Sequence, residues 1–130
     1  IENGRAYGDV ITGVDFPYLA QVTRLNVVTL AALASAPAPP SGVRIEGAVS
    51  ADTKVSWAPA PGAASYRVWW RGTTEPTWSH ARVVGAGTSA VLANVVIDDW
   101  FFGVSSVDAD GWESPVVFPG PAGSFESGAK

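Results

Sequence analysis

The sequence predicts a mainly β protein: an antiparallel β-sandwich preceded by an N-terminal tail and one apolar α-helix. Three observations carry that expectation. After residue 42, apolar residues alternate in short runs at Val43/Ile45, Val55/Trp57, Tyr66/Val68/Trp70, Val91 with Val95, Trp100/Phe102/Val104 and Val116/Phe118. Turn-forming residues separate the runs, at Ala51-Asp52, Pro59-Ala60-Pro61-Gly62, Gly85-Ala86-Gly87, Asp98-Asp99 and Asp108-Ala109-Asp110-Gly111. Ahead of them lies a stretch free of Gly and Pro, from Tyr18 to Ala34. Alternation with frequent turns is what two half-buried sheets sharing one core require.

Taken in chain order, Ile1 to Gly13 carries turn residues at Gly4, Gly8 and Gly13, and Asp15-Phe16-Pro17 reads as a helix start with Pro in the first turn. The helix then runs from Tyr18 to about Ala34 on good or tolerable helix formers. Its apolar side chains, Leu19, Val22, Leu25, Val27, Val28, Leu30 and Leu33, point in most directions, and Arg24 is its one charge. A helix apolar nearly all round belongs in an interior. Burying about six such side chains is worth roughly 1.5–3 kcal/mol each, comparable with the ~5–15 kcal/mol net stability of a whole domain. One small sandwich offers too little cover, so much of this helix is expected to pack against protein outside this chain. With that partner absent, the helix is free to pair with a second copy of itself.

The Pro/Ala/Ser stretch from Ser35 to Gly42 cannot continue a helix and favours extended geometry. The expected organisation is therefore a tail and helix at residues 1–36, a Pro-rich linker at 37–41, a sandwich at 42–121 and a C-terminal tail at 122–130. Arg24, the apolar run and Ala34-Ser35-Ala36 resemble a signal peptide, but the Gly and aromatic residues before Tyr18 look globular. The run is also shorter than the ~18–20 apolar residues that a bilayer demands, and it contains Asn26, Thr29 and Ser35. No membrane partner is expected.

Composition narrows the function further. Eight Lys and Arg against twelve Asp and Glu give a net charge of −4, which offers no footprint for a nucleic-acid backbone. The absence of cysteine removes disulfides, thiolate metal sites and cysteine nucleophiles together. A single histidine, His80, cannot by itself build a zinc site, and a Ser-His-Asp triad would have to be assembled around it. No catalytic residue, metal or other cofactor is expected in this chain. It also lacks methionine, even at position 1, from which we expect a piece of a longer or processed gene product.

Particular residues now support a family likeness. Pro40-Ser41-Gly42-Val43-Arg44, Lys54-Val55-Ser56-Trp57-Ala58-Pro59 and Tyr66-Arg67-Val68-Trp69-Trp70-Arg71 resemble strands A, B and C of a fibronectin type III domain, an immunoglobulin-like sandwich. Trp100 to Pro115, with Val104-Ser105-Ser106-Val107-Asp108-Ala109-Asp110-Gly111 at its centre, is similar to that family's F strand, F–G turn and opening of strand G. The likeness covers about Pro40 to Pro121. It departs at Trp100, which stands where the family carries its corner tyrosine and has no phenol to make the corner hydrogen bond.

A second likeness lies before the linker. Glu2-Asn3-Gly4-Arg5-Ala6-Tyr7-Gly8-Asp9, then Val14-Asp15-Phe16-Pro17-Tyr18-Leu19-Ala20-Gln21-Val22-Thr23-Arg24-Leu25-Asn26, is similar to the end of bacterial zinc-dependent aminopeptidase catalytic domains. Some members of that family carry a fibronectin-like C-terminal domain, in the order found here. The resemblance implies a metallopeptidase parent, secreted or periplasmic, whose two zinc ions and glutamate base lie before Ile1. It also implies that the catalytic domain of that parent is the partner of this chain.

Several other residue groups have plainer explanations. Asp108, Asp110 and Glu113 beside Gly111 offer oxygen ligands of the kind calcium uses, yet their spacing misses the EF-hand pattern and Asp-Gly is a favoured turn. Ser79 and His80 are neighbours on an extended segment and point to opposite faces, which leaves no nucleophile and base pair. Asp98-Asp99 reads as a solvated turn. Tryptophan is abundant, at Trp57, Trp69, Trp70, Trp78, Trp100 and Trp112. Parity sends Trp57, Trp70 and Trp100 inward and leaves Trp69, Trp78 and Trp112 for ligand stacking, as in a carbohydrate-binding or adhesion module. Phe101 shares the outward register of Trp69. The reading that follows is a non-catalytic accessory domain that docks and orients a peptidase, with Trp69, Phe101, Leu19, Val22, Leu25, Leu30 and Leu33 as contacts.

Overall fold

The computed structural model of the chain describes Asn3, Gly4, Gly8, residues 10–47 and residues 49–120. Most of the aminopeptidase-like run from Glu2 to Asp9, and the tail expected at 122–130, lie outside the described residues. The chain divides into two compact units, Ile1–Ala34 and Ser35–Lys130.

In the first unit a 3₁₀ turn, Ile11–Gly13, precedes the helix α1, Phe16–Ser35. Asp15 starts α1 as its N-cap: its Oδ1 accepts the Tyr18 N–H at 3.0 Å and its carbonyl accepts the Leu19 N–H at 2.9 Å. Phe16 and Pro17 thus sit inside the first turn, where an imino acid loses no hydrogen bond, and α1 begins two residues earlier than its uninterrupted stretch suggests. None of its residues is buried, and Leu19, Leu25, Val27, Val28, Leu30 and Leu33 are exposed. Val22 is half-buried. Among the described residues no helix is long and apolar enough to cross a membrane.

The second unit is the expected sandwich. Strands β1 (Ser41–Glu46), β2 (Thr53–Ala58), β3 (Ser65–Gly72), β4 (His80–Val84), β5 (Ser89–Leu92) and β6 (Trp100–Val107) form two antiparallel sheets, ordered β1-β2-β5 and β4-β3-β6. Val43, Val55, Trp57, Ala90 and Leu92 from one sheet meet Tyr66, Val68, Phe102 and Val104 from the other. Phe102, Val55, Val68 and Val104 are fully buried, each worth roughly 1.5–3 kcal/mol. Thr53 is buried with them, and its hydroxyl donates to the Val95 carbonyl at 2.6 Å. The Trp57 indole N–H is buried in this core without a hydrogen-bond partner.

Four details differ from the sequence expectation. Strand β4 was not marked by apolar alternation, because as a sheet edge it is exposed along most of its length. The run at Val116/Phe118 makes a single β-bridge, Val117 to Val104, instead of a strand. Pro115 and Pro119 flank it and have no N–H to extend a ladder. Strand β5 ends at Leu92, since Asn94 turns the chain with a positive φ of 57° before Val95. Finally, the stretch read as linker is partly sandwich: Pro40 is buried, the Ser106 hydroxyl donates to the Ala38 carbonyl at 2.6 Å, and β1 opens at Ser41.

Candidate functional site

The two outer sheet faces differ in character. On β1-β2-β5 the outward residues include Arg44, Glu46, Lys54, Ser56 and Ser89, with an exposed Lys54–Glu46 ion pair of 3.3 Å. That is an ordinary solvated face. On β4-β3-β6, strand β3 sends Arg67, Trp69 and Arg71 outward, between the inward residues Tyr66, Val68 and Trp70. Register places Trp69 beside Ala81 and Gly103, Arg67 beside Val83 and Ser105, and Arg71 beside Phe101.

Guanidinium groups and aromatic rings interleave across this second face. The Arg67 guanidinium lies 5.2 Å from the Trp69 ring centroid, and that of Arg71 lies 4.8 Å from Phe101 and 5.6 Å from Trp78. Trp78 continues the row to Phe118, with ring centroids 5.3 Å apart. Close approach is possible because β6 carries Gly103 here: a Cβ at that position would stand 2.4 Å from Val116 Cγ1 and 3.1 Å from the Trp78 ring. The glycine gives Trp78 and Val116 a seat on the sheet.

Glu113 organises one end of the face. Its Oε2 pairs with the Arg67 guanidinium at 2.5 Å, while its Oε1 accepts the Trp69 indole N–H at 3.1 Å and the Ser105 hydroxyl at 2.5 Å. The three donors satisfy a half-buried carboxylate that would otherwise be costly. The other end is organised by the β3–β4 turn. There Glu75 accepts the Ser79 hydroxyl at 2.5 Å and the Gly72 N–H at 3.1 Å, and its carbonyl accepts from Arg71. The Ser79 hydrogen bond, followed by that from Gly72, holds the Glu75 carboxyl below the usual glutamate range.

Trp69, Trp78 and Phe101 are thus brought to one face, with a guanidinium over each of the three rings. Trp112 is placed apart, 44% exposed in the turn after β6, which Asp108 holds by accepting the N–H groups of Asp110 and Trp112 at 2.9 and 2.8 Å. Leu19, Val22, Leu25, Leu30 and Leu33 lie on α1, in the other unit. Sequence parity located Trp69 and Phe101 but missed the partners: Arg67 and Arg71 carried the signal of alternate spacing with Trp69, whereas Glu113 carried none.

The remaining groups are placed as follows. Among the described residues no cluster of three His, Asp or Glu is placed to hold a metal. Asp108 is engaged in its own turn and Glu113 with Arg67, so the calcium-like trio does not assemble. Ser79 bonds Glu75 rather than His80, whose ring stacks on Trp70 at 5.4 Å and meets Trp100 edge-on at 5.2 Å. Asp98 and Asp99 sit in a 3₁₀ turn. A phenol-to-backbone latch does exist, but Tyr66 makes it by accepting the Ala60 N–H at 2.8 Å.

With two antiparallel sheets, one core and these turns, the fold is a fibronectin type III-like sandwich. A solved Fn3-like protein from Clostridium thermocellum matches it with a TM-score of 0.54 and 26% identity, over 63% of this chain and 86% of that one. No family model matches the chain. Among curated proteins, a probable zinc metalloprotease of Pyrenophora teres f. teres is 39% identical over 124 residues, covering 93% of this chain and 26% of that protein. One of Leptosphaeria maculans is 40% identical over 123 residues, covering 92% of this chain and 28% of that protein. The chain therefore spans about a quarter of the length of these relatives.

Proposed function

We propose that this chain is the non-catalytic C-terminal region of a secreted zinc-dependent metalloprotease of the aminopeptidase type. On this reading α1 is the last helix of the catalytic domain, and Leu19, Val22, Leu25, Leu30 and Leu33 are contacts inside that domain. The sandwich is an accessory module that docks on the catalytic domain and orients it, with Trp69 and Phe101 as contacts. Zinc belongs to the parent enzyme and is held by residues outside this chain.

The observation that carries the proposal is joint coverage. The Pyrenophora teres relative aligns with 93% of the chain, which takes in both the apolar helix and the sandwich. A helix that buries none of its residues, followed in sequence by a sandwich with its own core, is what a boundary between two domains of a larger protein would leave. The N-terminal likeness to aminopeptidases supports the finer class.

The test deletes residues 37–120 from the complete metalloprotease. We expect a protein that still binds zinc and hydrolyses aminoacyl anilides, with a lower thermal midpoint, while deletion from residue 16 onward yields no folded enzyme. Turnover of those substrates by this 130-residue chain with added zinc would refute the assignment, as would loss of zinc by the folded shorter deletion.

A further inference from the structure

We infer that the outer face of β4-β3-β6 is the surface by which the sandwich seats on the metalloprotease body, and that Arg71 anchors the contact by receiving a carboxylate from that body. The inference rests on the parentage proposed above and adds to it a face, an orientation and a partner chemistry.

Three observations support the choice of face. The two outer faces differ in composition: Arg44, Glu46, Lys54, Ser56, Ser89 and one large apolar residue, Val91, lie outside β1-β2-β5, whereas aromatic rings interleaved with Arg67 and Arg71 lie outside β4-β3-β6. On the aromatic side Val83, Phe101 and Phe118 remain 67%, 37% and 48% exposed: Val83 pairs with Arg67, Phe101 shares the Arg71 guanidinium with Trp78, and Phe118 meets the Trp78 ring. Partial cover of this kind marks a surface that another protein completes. The chain also spans only about a quarter of its metalloprotease relatives, and those relatives carry the matching sequence on the same polypeptide as the remainder. A tethered body is present at high effective concentration, which favours it over a free partner.

The two arginines indicate what that body must offer. Arg67 is satisfied by the Glu113 carboxylate. Arg71 lies over two rings in the same fashion and donates to the Glu75 backbone carbonyl; its charge also acts on the Glu75 carboxylate, but the hydrogen bonds to that carboxylate come from Ser79 and Gly72 and none from Arg71. A guanidinium has five donors in a planar fork, and stacking on aromatic rings fixes that plane in advance. The complement is an apolar surface bearing an Asp or Glu that reaches Arg71 in the fork-to-carboxylate geometry.

Hydroxyl-radical footprinting read by mass spectrometry tests this, comparing the complete polypeptide with the 130-residue chain. We expect labelling of Trp78, Phe101 and Phe118 to be lost in the complete polypeptide, with Val91 on the opposite sheet labelled equally in both. R71E in the complete polypeptide should restore labelling at Phe101 and Phe118, and K54E on the opposite sheet should not. Equal labelling of the aromatic face in both proteins overturns the inference. If Leu25 and Leu30 of α1 are nevertheless protected, the parentage stands and only the docking face is wrong; if they too are labelled, the parentage fails with it. Protection of Phe101 that grows with concentration in the 130-residue chain would make a second copy the occupant and overturn the inference. Protection that survives R71E would remove Arg71 as the anchor.

Discussion

Gly103 is the residue on which the aromatic face depends most directly. Its place on β6 brings the Trp78 ring and Val116 down onto the sheet, where a methyl group would overlap Val116 Cγ1 at 2.4 Å and press the indole at 3.1 Å. Gly103 is itself buried, so neither neighbour can yield without lifting off the row that includes Phe118. We expect G103A to lower stability by about 1–3 kcal/mol, the usual cost of overpacking, measured as a shift of the denaturant midpoint. Trp78 emission should shift to the red in the folded variant. A variant as stable as the parent chain would mean that Trp78 and Val116 do not hold these places. A glycine inside a strand pattern signals close approach, but the two residues that approach lie 13 and 25 positions away and cannot be read from it.

At the scale of elements, the β3–β4 turn is the part with a readable acid response. The Glu75 carboxyl is held below its ordinary value chiefly by the Ser79 hydroxyl and then by the Gly72 N–H, and both bonds belong to the folded turn. A folded-state value below the unfolded one means that the stabilisation is fully present above the ordinary glutamate range and is lost as pH falls through the depressed value. NMR titration should therefore place the Glu75 midpoint below that of an unfolded glutamate, and S79A should move it back up. An S79A midpoint equal to that of the parent chain would remove the hydroxyl as the cause. This turn also marks how far the sequence was legible. Strands whose residues alternate between core and solvent, such as β2 and β3, announce themselves; β4 does not, because both of its faces are largely exposed and no burial imposes a pattern. Val116/Phe118 has the pattern of a strand, but prolines on either side confine it to one bridge. On the candidate face, period-two parity placed Trp69 and Phe101 together, while the Glu113 and Trp78 contacts come from chain reversals that no local pattern encodes.

For the whole molecule, the division into two units has a spectroscopic consequence that follows from where the chromophores lie. All six tryptophans fall between residues 57 and 112, inside the sandwich, so tryptophan fluorescence, excited selectively over tyrosine, reports on that unit alone. Helical circular dichroism reports almost entirely on α1, the one α-helix among the described residues. The sandwich owns a closed core and should unfold cooperatively. Isolated helices of ordinary length are marginal in water, because one buried face and not backbone propensity supplies most helical stability in proteins. In α1 no residue is buried. Denaturant titration of the dilute 130-residue chain should thus give two curves that do not coincide: a gradual loss of helical ellipticity at low denaturant, and a later, sharp fluorescence transition. Raising the protein concentration should move the first curve alone to higher denaturant if copies of α1 pair. Coincident curves at high dilution would show that the two units unfold as one, and the view of α1 as a helix that lacks its packing partner would have to be abandoned.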